Sequence, residues 1–159
     1  MTLFVLIGIQ GSGKSTWARA NARRLGAGVV ASDEIRNELE AAGMDAMGLS
    51  DHVFAILEGR VDELLARGQN VIVDATHARR QWRQNVLAIA RRRGARRVAV
   101  WFDMPLETAI ARNALKPGGG WGQREVPTPL LLNVWRGFEP PGAEEFEEVW
   151  KPSGEEIGV

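Results

Sequence analysis

The chain has 159 residues, 45% of them hydrophobic, and its 20 basic and 20 acidic side chains cancel to zero net charge. That size and apolar content suit one compact domain, residues 1–159, and no stretch is apolar for long enough to span a membrane. The absence of cysteine excludes disulfides and thiolate metal sites, and His52 and His77 alone cannot build a zinc site, so a cytoplasmic protein is expected.

Leu3 to Ile7 is an apolar run without the basic leader or small-residue cleavage site of a signal peptide, and it reads as a core strand. It leads into Gly8-Ile9-Gln10-Gly11-Ser12-Gly13-Lys14-Ser15-Thr16, which matches the phosphate-binding pattern G-x-x-x-x-G-K-S/T at every specified position. A helix-compatible stretch from Lys14 to Leu25 follows, so the strand, loop and helix that the motif requires are all present. Gly8, Gly11 and Gly13 let backbone N–H groups turn inward around phosphate oxygens, Ser12 and Thr16 add polar groups, and the helix contributes the positive end of its dipole. Lys14 is placed to reach the β and γ phosphates, and Ser15 to hold through its hydroxyl the magnesium that bridges them. The expected cofactors are therefore ATP and Mg2+.

The rest of the chain alternates strand and helix. Gly28 to Ala31 forms a short strand, and Ser32 is a candidate N-cap for a helix with Ile35 and Leu39 on one face. Ser50 is expected to cap the next helix, striped by Val53, Leu57, Val61 and Leu64 and ended by Gly68. Asn70 to Val73 is a third strand, closing on Asp74. Trp82, Val86, Ile89 and Ala90 stripe a fourth helix stopped by Gly94, and Val98 to Phe102 reads as a fully buried strand. Pro105 suits the first position of a helix running to about Leu115, and Thr128-Pro129 opens another that Gly137 ends. Between them Lys116 to Gln123 breaks regular structure, and a mobile lid is expected over about residues 112–127. Phe146 to Trp150 suggests a last strand, with a tail from about Pro152. The expected fold is α/β: a three-layer α/β/α phosphate-loop fold with a mostly parallel five-stranded sheet and a helical lid.

Ligands of open parallel sheets bind beyond the carboxyl ends of the strands, so the carboxylates there require a role. Asp74 closes Val71-Ile72-Val73-Asp74 in the form of a Walker B strand, where it would hold magnesium or support Ser15; a capping or turn aspartate is the alternative. Asp33 and Arg36 lie one helical turn apart, either as a base paired with an anion clamp or as an ordinary ion pair. Arg79, Arg80, Arg83, Arg91, Arg92, Arg93, Arg96 and Arg97 crowd one segment, and Glu139, Glu144, Glu145, Glu147, Glu148, Glu155 and Glu156 crowd the C-terminus. These groups either face each other or face separate partners, nucleic acid among them. Trp121, among the lid glycines, either stacks on a base of substrate or nucleotide or pins a closed loop to the body.

The phosphate loop with Trp17-Ala18-Arg19 behind it, Asp33-x-x-Arg36, Asp74-Ala75-Thr76-His77, and Arg112-Asn113 followed by Val126-Pro127 together resemble the phage-type polynucleotide kinase family, within the AAA-type group of phosphate-loop ATP-dependent kinases. The resemblance runs from Leu3 to about Trp150 and implies sheet order 2-3-1-4-5. It implies that Asp33 is the general base on a 5′-hydroxyl, that Arg36 binds the neighbouring nucleotide phosphate, and that a lid cation meets the transferring phosphate. At the family's lid-arginine position this chain has Lys116, which keeps the charge but not the planar fork, and Arg112 and Arg124 are alternative sources of one. His77 stands where an asparagine is frequent and is expected to make a loop hydrogen bond. The expected activity is transfer of the γ-phosphate of ATP to a hydroxyl, foremost the 5′-hydroxyl of a polynucleotide. A small-metabolite kinase and an ATP-driven switch are the alternatives.

Overall fold

Leu3, Val5 and Ile7 leave one side of the first strand and Phe4 and Leu6 the other, and all five are buried, which makes this strand the centre of a sheet covered on both faces. The computed structural model describes residues 1–156. In chain order these form β1 (Thr2–Ile7), α1 (Lys14–Asn21), β2 (Ala27–Ala31), α2 (Ser32–Ala41), a 3-10 turn (Ala46–Gly48), α3 (Ser50–Ala66), β3 (Asn70–Asp74), α4 (Arg80–Arg92), β4 (Arg96–Trp101), α5 (Leu106–Ala114), α6 (Thr128–Arg136) and β5 (Glu148–Trp150). The five strands lie in the order β2-β3-β1-β4-β5, the order the family resemblance implies. Every pairing is parallel, with Phe4 opposite Ile72 on one side and Val98 on the other.

The two faces have separate cores. Ile35 of α2, Val53, Leu57, Val61 and Leu65 of α3, and Val86, Leu87, Ile89 and Ala90 of α4 pack with Leu3, Val5 and Ile7. Trp17 and Ala18 of α1, Ala109 of α5 and Leu131 of α6 pack with Phe4 and Leu6 on the other face. Each fully buried aliphatic side chain contributes about 1.5–3 kcal/mol relative to exposure. The α/β/α layering follows from period-two burial in the strands and helical stripes that match it.

Several boundaries differ from expectation for local reasons. Helix α1 stops at Asn21, whose side chain donates to Trp17 O at 2.9 Å, and a turn replaces its last stretch to Leu25. Ser32 and Ser50 are the first residues of their helices, and neither helix has a side-chain cap at its N-terminus. The α3 stripe ends on Leu65, while Leu64 is only partly buried and packs over Gly28. Trp82 is 40% exposed beside the Arg79 guanidinium, and the buried position on that stripe belongs to Arg83. Pro105 is the N-cap of α5, one residue before the expected site. Strand β5 is confined to Glu148–Trp150. Of the expected tail, residues 152–156 form no helix or strand, and residues 157–159 lie outside the described residues.

Candidate active site

The order of the sheet makes β1 the point where the chain switches sides, since β2 and β3 lie to one flank and β4 and β5 to the other. In open parallel sheets the ligand crevice lies at such a point, beyond the strand ends. Residues 8–13 enter it directly from β1. Gly13, in the left-handed conformation, caps α1, and Lys14 begins the helix. Lys14 Nζ donates to Gly8 O and to Ile9 O, each at 2.9 Å, so the ammonium braces the loop from inside. Burial lowers its pKa to about 8 against the opposing pull of Asp74 and Asp33. Ser12 Oγ and Gln10 Oε1 are buried without a hydrogen-bond partner among the described residues, the condition of polar groups aimed at a ligand. Ser15 Oγ donates to Asp74 Oδ2 at 2.6 Å, so the aspartate closing β3 serves the loop and not a helix cap.

The Ser15–Asp74 pair also bears on metal binding. Both are oxygen donors of the kind magnesium takes, and magnesium keeps several waters and needs few protein ligands. Among the described residues no cluster of three or more histidine or carboxylate groups forms a cage for another metal. The residues present fit a magnesium ion shared with phosphate.

The loop is built against α5. Gly11 has φ +80°, and a Cβ there would lie 2.6 Å from Ala109 O, so only glycine permits this approach. One residue before the end of α5, buried Asn113 donates through Nδ2 to Val126 O at 2.8 Å and accepts from Val126 N at 3.0 Å. This pair ties together the two ends of the glycine-rich segment. In between, Gly118 N donates to Gln123 O and Gln123 N to Gly120 O, which folds the segment back on itself.

That segment lies along α2. Asp33, Arg36, Asn37 and Glu40 follow at spacings of three, one and three, which places them on one side of the helix. A Cβ at Gly122, where φ is +83°, would lie 3.2 Å from Asp33 Oδ2. Asn37 holds the Trp121 backbone at both ends, accepting from its N at 2.7 Å and donating to its O at 3.2 Å. Glu40 accepts from Trp121 Nε1 at 2.7 Å and from Arg124 Nη2 at 3.3 Å. The Arg36 and Arg124 guanidiniums lie 5.0 and 4.6 Å from the centre of the indole ring. Arg36 also donates to Ala46 O at 3.0 Å and to Ser50 Oγ at 3.4 Å, and does not pair with Asp33 as a simple helix-surface ion pair would.

Asp33 is half-buried, and none of the described residues donates a hydrogen bond to it. Burial and then Asp74 push its carboxyl above the usual range, while Lys14, Lys116 and Arg36 pull it back. Lys116 in turn is lowered by burial and held up by Asp33. Asp33, Lys14 and Lys116 thus share one electrostatic site. A carboxylate whose pKa is raised by burial, and which is coupled to two ammonium groups, can accept a proton near bound phosphate.

Comparison with known proteins agrees with this arrangement. A family model described as an AAA domain matches residues 3–141. The chain belongs to this AAA domain family. Solved structures similar to the AAA domain include one of the Pnkp1/Rnl/Hen1 complex, with 28% identity and TM-score 0.61 over 70% of this chain and 38% of that one. A gluconokinase from Sinorhizobium meliloti is 20% identical, with TM-score 0.64 over 99% of this chain and 87% of that one. Kti12 from Chaetomium thermophilum, in complex with ADP-AlF3, is 16% identical, with TM-score 0.74 over 98% of this chain and 93% of that one. No curated protein matches the chain. Fold and family together make this a phosphate-loop, kinase-like domain.

Of the site residues expected from sequence, the AAA domain gathers Gly8, Gly11, Ser12, Gly13, Lys14, Ser15, Asp33, Asp74 and Lys116 at the crevice, and Thr16 follows on α1. Arg124 is turned to Glu40 and the Trp121 ring, and Arg112 occupies the last turn of α5. His77 makes a loop contact: Nδ1 lies 3.3 Å from Leu6 O, so the neutral ring carries its proton there, and burial lowers its pKa to about 4. Asn37 and Glu40 were not anticipated, and Asn113 and Val126, quoted for the family resemblance, were given no role. The partners of Asn37 and Glu40 are backbone groups and side chains distant in sequence, although their helical spacing from Asp33 was a readable signal.

The arginine-rich segment and the acidic C-terminus face each other. Arg83, fully buried, donates through Nε and Nη2 to Glu145 at 2.7 and 2.8 Å, and also to His77 O, Glu139 O and Pro140 O. Arg80 pairs with Glu144 at 2.5 Å, Arg97 with Glu147, and Arg96 with Glu148. Asp62 of α3 takes Arg92 and Arg93.

Proposed function

We propose that the protein is an ATP-dependent kinase that phosphorylates a hydroxyl group of a small acceptor. The observation that carries the reading is Asp33, which lies in the first turn of α2 directly after β2, rests against Gly122 of the glycine-rich segment, has no side-chain hydrogen-bond donor among the described residues, and is within electrostatic reach of Lys14 and Lys116. The phosphates of ATP would occupy the ring of loop N–H groups, and Lys14 would exchange its contacts with Gly8 O and Ile9 O for phosphate oxygens. Ser15 and Asp74 would hold magnesium, which when bound neutralises phosphate charge. Asp33 takes the proton of the acceptor hydroxyl as its oxygen bonds to the γ-phosphorus. The bond from that phosphorus to the β–γ bridging oxygen breaks, ADP leaves, and Lys14 and Lys116 offset the charge on the moving group.

Two features favour a compact acceptor. Gly122 lies against Asp33 and the Trp121 ring against Arg36, so an acceptor that reaches the base passes close to this segment. The arginine-rich segment, the obvious track for a polymer, is largely neutralised by Glu144, Glu145, Glu147, Glu148 and Asp62. A second reading, a kinase for polynucleotide 5′-hydroxyl ends, is favoured by Asp33-x-x-Arg36 and by the 28% identity to a structure of the Pnkp1/Rnl/Hen1 complex.

Radiolabelled ATP offered with sugars and sugar acids, nucleosides, nucleoside 3′-monophosphates and 5′-hydroxyl DNA and RNA oligonucleotides tests both. Preferential labelling of a small alcohol supports the first reading, and preferential labelling of oligonucleotides replaces it with the second. ATP binding without transfer to any acceptor leaves a nucleotide-dependent switch and removes the kinase reading.

A further inference from the structure

The polar stripe of α2 has two halves with different occupants. Asp33 is coupled electrostatically to Lys14 and Lys116, and Arg36 reaches Ala46, Ser50 and the Trp121 ring, while Asn37 and Glu40, one turn further, bond only to the loop. Neither Asn37 nor Glu40 touches the phosphate loop. Their partners are the backbone and indole of Trp121 and the guanidinium of Arg124, residues more than eighty positions away in sequence.

The result is a ring held from several sides. Two hydrogen bonds fix the Trp121 backbone, one fixes its Nε1, and Arg36 and Arg124 lie against the ring. Trp121 therefore has a set position relative to Arg36. Its neighbour Gly122 lies so close to Asp33 that a side chain there would meet the carboxylate. A group approaching Asp33 passes Gly122, and one long enough to reach Arg36 meets the indole.

We propose that Trp121, latched to α2 by Asn37 and Glu40, is the residue that limits the size of the acceptor admitted to Asp33. The inference rests on the kinase reading for its substrate and on the loop contacts for its mechanism. The indole acts by occupying space. Asn37 and Glu40 act as positioning residues that keep it there. Release of the latch opens the region above Asp33 and Arg36 to longer acceptors without altering the base or the phosphate loop.

The test compares wild type with Trp121→Ala, Trp121→Phe and Glu40→Ala on adenosine 3′-monophosphate and on a 5′-hydroxyl decanucleotide. The readout is the ratio of kcat/KM for the longer acceptor to that for the shorter. Trp121→Ala is expected to raise this ratio by about tenfold or more, the scale on which pocket shape discriminates. Glu40→Ala should raise it in the same direction, and Trp121→Phe, which keeps a ring but loses the Nε1 hydrogen bond to Glu40, should raise it less than Trp121→Ala does. An unchanged ratio in Trp121→Ala overturns the proposal. The latch is read separately by hydrogen exchange of the full chain, in which amides of residues 118–123 should exchange faster in Glu40→Ala and Trp121→Ala than in wild type. Unchanged exchange overturns the latch whether or not the protein transfers phosphate. Faster exchange in a protein inactive on every acceptor supports the latch and counts against the kinase reading alone.

Discussion

Two clusters of charge lie near the carboxyl end of β3, and they are wired in opposite ways. In the Arg83–Glu145 cluster the guanidinium meets a carboxylate with two hydrogen bonds and three backbone carbonyls besides. In the Lys14, Asp33 and Lys116 cluster the charges act on one another through space, Lys14 bonds only to carbonyls of its own loop, and two polar atoms of that loop are buried without partners. A satisfied buried cluster fixes a structure, here the attachment of residues 139–145 to the loop after β3. An unsatisfied one holds capacity for a ligand. The physical difference is whether desolvated groups are already compensated by the protein.

The largest expected effect falls on the unsatisfied cluster. Lys14→Ala should lower turnover by about a hundredfold or more while the melting temperature changes less than in Arg83→Met, because within the protein Lys14 bonds only two carbonyls of its own loop and its loss strands no buried carboxylate. Steady-state kinetics and a thermal melt on one preparation check this, and turnover near wild type would remove Lys14 from the reaction. Asp33→Asn should likewise reduce transfer by about a hundredfold or more with ATP affinity unchanged, and calorimetric titration alongside kinetics separates the two quantities.

The satisfied cluster should show the reverse pattern. Arg83→Met strands the Glu145 carboxylate and should cost about 3–5 kcal/mol of stability, whereas the double replacement Arg83→Met with Glu145→Leu should recover most of it. Denaturant titration reads both, and turnover per folded molecule should stay at the wild-type level. Burial raises the Glu145 carboxyl, but the hydrogen bonds and charge of Arg83 outweigh it, so its folded pKa lies below the ordinary value. Its contribution is therefore present above pH of about 4.5 and lost as pH falls through the folded value. A stability profile flat across the acid range would contradict this.

Smaller effects come from proton equilibria in the site. Asp33 must be ionised to act as a base, so the acid limb of kcat/KM should lie above the range of an ordinary aspartate. Lys116 favours the ionised form, so Lys116→Met should move that limb to higher pH, and a shift to lower pH would break the assignment. On the basic side Lys14 loses its proton above about 8 in the free protein, and nucleotide affinity should weaken there. The decline should be shallower in Lys14→Arg, whose charge persists across that range.

How much of this was legible in sequence follows the same division. The phosphate loop was readable in full because its chemistry is local: nine consecutive residues carry the turn, the cation and the hydroxyl. The strands were readable from period and burial, but their order came from a family resemblance, since spacing alone does not say which strands pair. Arg83 was read only as one of a crowd of arginines, although Val86, Leu87 and Ala90 lie on its own side of α4, a pattern that marks a buried position. Trp82 was misplaced for the converse reason, as large apolar character outweighed its place on the helix. Asn37 and Glu40 escaped because their partners come from the far end of the chain, and only the folded loop brings them together.

The Asn113–Val126 pair has a consequence for how such a protein can change over evolutionary time. By closing both ends of the loop on one buried amide, it separates what the loop is anchored to from what the loop contains. Doubling the length of a closed flexible loop costs only about 0.6 kcal/mol in closure entropy. The residues between are therefore an exchangeable cassette: a transplanted sequence of different length or composition can present a new roof to α2 while α5, α6 and the phosphate loop remain in register. If the kinase reading holds, acceptor range can drift quickly in this architecture, and Lys14, Ser15, Asp33 and Asp74 need not drift with it.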